Sequence, residues 1–126
     1  MSTSHEPLSN ALKKLKNNLS DVARVAEWAD LMEFDNPKYF SEKFMQHYDI
    51  RPQKVMDYIR LKSIIRYLRT TEYSNHKIAR LHSMPGEKAL NNYTNYHLNH
   101  SPTDLKYMPE ERLHSLLEKF GSKIQE

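Results

Sequence analysis

Cysteine is absent from this 126-residue chain, and glycine occurs only twice, as Gly86 and Gly121. Without cysteine there is no disulfide staple, no thiol nucleophile and no thiolate-bound zinc or iron–sulfur centre. An average protein is about 7% glycine. The scarcity here excludes a glycine-rich phosphate loop, and with it P-loop and dinucleotide-binding chemistry. Long apolar runs are missing as well: uncharged apolar stretches span a few residues, against the roughly 20 that a bilayer-crossing helix needs. No apolar run stands in the opening MSTSHEPLSNALKKL, so no signal peptide is read and a cytoplasmic location is expected. Apolar and polar residues nowhere alternate over five or more positions, so strands are not expected either. The seven histidines form no H-E-x-x-H pair, and no acid, base and nucleophile converge in the pattern. No metal, no cofactor and no enzymatic activity are expected.

What the chain does contain is helical periodicity, and the expected class is all-α. Leu8, Leu12, Leu15, Leu19 and Val22 fall four, three, four and three apart, the stripe of an amphipathic helix. A short helix follows in VAEWADLME, with Val25, Trp28, Ala29 and Met32 on one side. Asn36 is placed to cap a helix that begins at Pro37 and turns Phe40 and Phe44 inward. The longest periodic segment, 51–69, has Val55, Tyr58 or Ile59, Ile65 and Leu68 on one broad side. Arg51, Lys54, Arg60, Lys62, Arg66 and Arg69 are read as the other side, opposed only by Asp57. That segment holds five positive charges in excess, although the whole chain is only +3, so the basicity is local. Short helices are expected in HKIARLH and EKALNNYTNYH. A tail helix, PEERLHSLLEKF, has acidic residues in its first turn and ends at Gly121.

The chain also repeats. Shifted by 50 residues and without a gap, Ala29 falls on Ala79, Leu31 on Leu81, Phe34 on Met84, Lys38 on Lys88, Phe40 on Leu90, His47 on His97 and Pro52 on Pro102; Trp28 falls on Ile78. Each copy reads as a short helix, a turn of about four residues and a longer helix, the pattern of a helix-turn-helix. The small Ala29 or Ala79 permits close approach of the two helices, Phe34 or Met84 fills the angle, and Phe40 or Leu90 anchors the second helix. Periodicity alone leaves open a duplicated helical bundle with no ligand.

Ala29, Phe34, the run Tyr39-Phe40-Ser41 with Phe44, the turn Ile50-Arg51-Pro52 and the pair Arg60-Leu61 resemble the first motif and linker helix of the AraC/XylS-type transcriptional regulators. The second copy keeps Ile78, Ala79, Leu90, Ser101, Pro102 and Lys106. The resemblance covers about residues 8–107. It implies two helix-turn-helix lobes, about 8–50 and 74–107, joined by a linker helix near 52–69, with 108–126 as a helix packed on the second lobe. It also implies a regulator that binds double-stranded DNA in two successive major grooves and engages RNA polymerase if it is an activator. A chain this short has no room for an effector domain, so a short stand-alone form is expected, the alternative being a DNA-binding fragment alone; with no heptad seam and two DNA-reading elements in one chain, a monomer is expected.

Carried over residue by residue, the resemblance makes Lys38, Ser41, Glu42, Lys88, Asn91 and Asn92 candidates for reading bases. Lys43, Arg51, Lys54, Lys62 and Arg66 become candidates for phosphate contact. Trp28, Ala29, Phe34, Phe40, Phe44, Pro52, Arg60, Leu61, Ile78, Ala79, Met84, Leu90 and Pro102 take structural roles, with Arg60 bridging the lobes. The chain departs from the pattern at Glu42, Met45 and Gln46, where basic residues are common, and at Thr94, where a core aromatic is common. Asp49 and Asn99 replace the glycine after each recognition helix; both residue types tolerate left-handed geometry. The first lobe is therefore expected to supply most base discrimination. A protein-interaction module on a worn helix-turn-helix scaffold is the alternative. Single-stranded nucleic acid is disfavoured because aromatics and cations are not interleaved on one surface.

Overall fold

The computed structural model describes residues 5–121, so the last residues of the 108–126 tail lie outside the described part. A single 3-10 turn (Leu8–Asn10) leads into α1 (Ala11–Lys16), α2 (Val25–Leu31), α3 (Pro37–Tyr48), α4 (Pro52–Thr70), α5 (Asn75–Leu81), α6 (Glu87–Leu98), α7 (Pro102–Tyr107) and α8 (Glu110–Phe120). Among the described residues there is no strand. The all-α expectation holds, and the architecture is two helix-turn-helix lobes on either end of α4.

The repeat is a repeat of backbone chemistry. In the first turn Phe34 N–H donates to the Ala29 carbonyl at 2.9 Å, and in the second Met84 N–H donates to the Ala79 carbonyl at the same distance. The residue before each, Glu33 and Ser83, has φ of 65°. Left-handed backbone at these two non-glycine positions turns the chain sharply between the helices. Asp49 and Asn99, each with φ of 60°, terminate α3 and α6 in the same way. Asn36 Oδ1 accepts from Tyr39 N–H at 2.7 Å, the expected cap of α3, and Pro37 opens that helix. Ser74 and Ser101 cap α5 and α7 through Lys77 N–H and Asp104 N–H.

Two cores result. The first gathers Ala11, Leu15, Trp28, Met32, Phe34, Phe40, Phe44 and the N-terminal half of α4. Trp28 meets Phe40 and Phe44 edge-on at centroid distances of 5.4 and 5.1 Å, and its indole N–H donates to the Ala11 carbonyl. The second gathers the C-terminal half of α4 with Ile78, Ala79, Leu90, Leu98 and Leu105. Thr94 is fully buried where Phe44 stands in the first lobe. Leu113 is buried in this second core, and Leu116, Leu117 and Phe120 pack against it from α8.

Two expectations need correction. The stripe from Leu8 to Val22 is not one helix, because α1 ends at Lys16. Asn18 turns its side-chain amide onto the Lys14 carbonyl at 2.8 Å, and its N–H closes a tight turn on the Leu15 carbonyl at 3.0 Å. Asparagine competes in this way with helical backbone pairing. Leu19 and Val22 still reach the core, through a turn. Nor does α4 have a continuous basic side. Arg60 is only 5% exposed and Asp57 8%, while Arg69 spends its guanidinium on the Leu105, Lys106 and Met108 carbonyls. A helix packed between two lobes is covered on most sides, so a charge on it is not a solvated face by default.

Candidate nucleic-acid interface

In each lobe the second helix is held by its apolar side and presents its polar side. On α3, Phe40 and Phe44 are fully buried, whereas Lys38 and Glu42 are exposed and Ser41 is half-buried. Lys43 lies with its Nζ 5.5 Å from the centre of the Tyr39 ring, and Tyr39 itself packs on Phe34. On α6, Leu90, Thr94 and Leu98 are buried, and Lys88, Asn91 and Asn92 are exposed. Asn95 folds back onto the Asn91 carbonyl at 2.7 Å. Tyr96, which sequence reasoning passed over, is 84% exposed near the end of the same helix.

The five candidate phosphate contacts are dispersed. Lys43 belongs to α3 and Arg51 is exposed at the start of α4. Lys54 caps the face of Phe120 at 3.9 Å, and Lys62 lies 5.3 Å from the centre of the Tyr58 ring. Arg66 lies 4.9 Å from the centre of the Tyr67 ring. Of the structural set, Trp28, Ala29, Phe34, Phe40, Phe44, Pro52, Leu61, Ile78, Ala79, Leu90 and Pro102 are buried, and Met84 is half-buried.

Arg60 is the junction between the lobes. Its Nη2 donates to the Val22 carbonyl at 3.1 Å and the Ala23 carbonyl at 3.2 Å, both in the first lobe. Its Nη1 reaches Tyr93 Oη on α6 at 3.4 Å and Asp57 Oδ1 at 3.9 Å. Tyr93 O–H donates to Asp57 Oδ1 at 2.7 Å, and His97 Nε2 lies 3.7 Å from the same oxygen. Burial raises the Tyr93 phenol strongly, so it stays a donor. Burial likewise holds the His97 imidazole below its ordinary value, against the pull of Asp57 and with Lys54 and Arg60 in support. A second tie between the lobes is the Ser83 hydroxyl, which donates to the Leu19 carbonyl at 2.6 Å.

His82 is fully buried. Its Nδ1–H donates to the Ile78 carbonyl at 2.7 Å, and its Nε2 accepts from the Ser63 hydroxyl at 2.8 Å. Burial is the main reason its imidazole sits below the ordinary value, outweighing the Ile78 carbonyl, with Arg60 and Arg66 adding repulsion. Sequence reading missed Tyr93, His97 and His82 as partners of α4. The available signal was Tyr93 and His97 four apart on α6, matching Asp57 and Arg60 three apart on α4.

Among the described residues no group of three or more His, Asp or Glu side chains is arranged to hold a metal ion. Nor, among the described residues, is any helix long and apolar enough to cross a membrane.

No family model matches the sequence, and no curated protein matches it. Solved structures do match. The DNA-binding domain of AdpA, a global transcriptional factor solved in complex with a target DNA, superposes with a TM-score of 0.68 at 20% identity, covering 85% of this chain and 96% of that one. The C-terminal domain of AraT, a response regulator from Geobacillus stearothermophilus, gives 0.67 at 18% identity over 89% of this chain and 99% of its own. A transcriptional regulator with an AraC-type DNA-binding domain from Chromobacterium violaceum gives 0.64 at 17%, covering 81% and 93%. The repeated turns, the buried helix anchors and these superpositions together make the fold that of the AraC-type tandem helix-turn-helix domains.

Proposed function

We propose that this chain is a sequence-specific, duplex-DNA-binding transcriptional regulator, with α3 and α6 entering two successive major-groove segments. The observation that carries the reading is the pair of helices anchored by buried residues and presenting polar groups, set in a fold shared with a domain solved on its target DNA. Lys38, Ser41 and Glu42 read bases from α3, and Lys88, Asn91 and Asn92 do so from α6. Glutamate accepts from cytosine N4, and asparagine pairs with adenine N6 and N7. Lys43, Arg51, Lys54, Lys62 and Arg66 supply phosphate contacts, and RNA polymerase is a partner if the regulator activates. One copy suffices for a site spanning about two helical turns.

The test is selection of bound duplexes from a random pool at fixed salt. Enrichment of one extended motif is the expected result, and no enrichment by a folded protein rejects the reading. The second reading, a protein-interaction module, draws on exposed Met45 near Glu42 on α3 and exposed Tyr96 on α6. It predicts that the same selection returns nothing while those side chains are protected by a partner protein.

A further inference from the structure

Asp57 is a hub on the side of α4 that meets α6. Its Oδ1 accepts from the Tyr93 hydroxyl at 2.7 Å and lies 3.7 Å from His97 Nε2, both of them on α6. Gln53 Nε2 donates to the same carboxylate at 3.3 Å, and Arg60 Nη1 stands 3.9 Å away. The other arm of Arg60 ends on the Val22 and Ala23 carbonyls. A polar path therefore runs from the first lobe, through Arg60 and Asp57, to a single hydroxyl on the helix that faces outward in the second lobe. Elsewhere α6 packs chiefly on α5, inside its own lobe.

The path belongs to one copy of the repeat. Shifted by 50 residues, Tyr93 falls on Lys43 and His97 on His47, and on α3 these lie over Tyr39 and in solvent. The apolar anchoring of α6 is also the thinner of the two, with Thr94 buried where α3 has Phe44. Apolar contacts let a helix roll or slide, whereas a hydrogen bond to a carboxylate is directional and weakens steeply off-line. Stability alone does not explain the hub. Arg60 Nε is buried with no hydrogen-bond partner among the described residues, and buried charge pairs stabilise a fold less than apolar packing of the same volume. Beside the hub a cleft of about 520 Å³, lined by Ala23, Gln53, Met84 and Tyr96 among others, leaves α6 room to swing once the tie is released.

We infer that Tyr93 is a positioning residue: its bond to Asp57 fixes the angle of α6 to the first lobe, and thereby the number of base pairs that one chain accepts between its two half-sites. This rests on the duplex-reading function proposed above and adds spacing selectivity to it. One inserted base pair carries a half-site about 3.4 Å along the duplex and turns it by about 35°. A tethered α6 does not follow that displacement, and a released one follows part of it.

The experiment uses a duplex selected by the full chain from a random pool, remade with one base pair inserted or removed between the half-sites. The parent protein is expected to lose roughly ten-fold or more in affinity on either change. Tyr93→Phe keeps the ring and removes the hydroxyl. It is expected to bind the selected duplex within roughly five-fold of the parent and to lose less than about three-fold on insertion or removal. Ile78→Val, a core change in the same lobe that leaves the hub intact, is expected to lower the melting temperature and to keep the parent's spacing discrimination. Undiminished discrimination in Tyr93→Phe overturns the inference and leaves duplex reading standing. Equal flattening in Ile78→Val overturns it too, because Tyr93 would then act only through stability. Failure of the folded parent to enrich any duplex overturns both readings together.

Discussion

Arg60 shows how one side chain carries the relation between two lobes. It accounts for two main-chain carbonyls of the first lobe, for Tyr93 on α6 and for Asp57 one turn away on α4, at sequence separations of up to 38 residues. Replacing it by alanine strands a buried carboxylate and two carbonyls, and the expected loss is about 3–5 kcal/mol in denaturant unfolding. Amide exchange is expected to quicken at the Ala23 and Tyr93 junction in the same variant. His82 sets a pH dependence. Its folded imidazole lies below the ordinary value of 6.5, so the unfolded chain takes up the proton first. The stabilisation is therefore whole above about pH 6.5 and is lost as pH falls from there toward the folded value. His97 acts in the same direction. The melting temperature is expected to fall on acidification through this window, less steeply in His82→Gln; equal slopes in the two proteins would contradict the role given to His82.

At the scale of elements, the second helices of the two helix-turn-helix motifs are built from unequal anchors. α3 is held by Phe40 and Phe44 in an aromatic cluster with Trp28, whereas α6 has Leu90 and a buried Thr94 whose hydroxyl donates to the Asn91 carbonyl at 3.3 Å. Phe44→Ala is expected to cost about 3–5 kcal/mol. Thr94→Val, which gives up one long local hydrogen bond, is expected to stay within about 1 kcal/mol of the parent. Asn36→Ala removes the cap on Tyr39 N–H and is expected to cost about 1 kcal/mol, read from thermal unfolding. The α8 helix compensates for the thinner second lobe by covering it with Leu113, Leu116, Leu117 and Phe120.

For the whole molecule, Leu113 of α8 is buried and Leu116, Leu117 and Phe120 pack partly against the second core, which weakens the main reason to expect a partner copy. Sedimentation is expected to return one chain of 15.0 kDa at micromolar concentration; a mass near twice that would contradict it. On a panel of single-base variants of a selected duplex, Lys38→Ala and Ser41→Ala are expected to change preference in one half of the site by roughly 1–3 kcal/mol. Lys43→Ala and Arg51→Ala are expected to weaken all duplexes alike and to flatten the salt dependence. Discrimination of equal strength in both halves would make the Asn91 and Asn92 pair as capable a reader as α3.

Sequence alone determined the features that depend on neighbours a few residues apart. The spacing of Trp28, Ala29 and Phe34, the cap at Asn36, the prolines at 37, 52 and 102 and the left-handed residues Asp49 and Asn99 all act within one or two turns, so the helices and their doubling were legible. The end of α1 is also local, at Asn17 and Asn18, but the apolar stripe running past it concealed the break. Tertiary structure decided where the charges of α4 went. Residues of like type, six cations on one segment, parted into a buried junction at Arg60, a carbonyl clamp at Arg69 and exposed or ring-packed cations at Arg51, Lys54, Lys62 and Arg66. The physical reason is that a charged side chain's environment is set by groups distant in sequence, such as Val22, Tyr93 and Leu105, which periodicity along one helix does not encode.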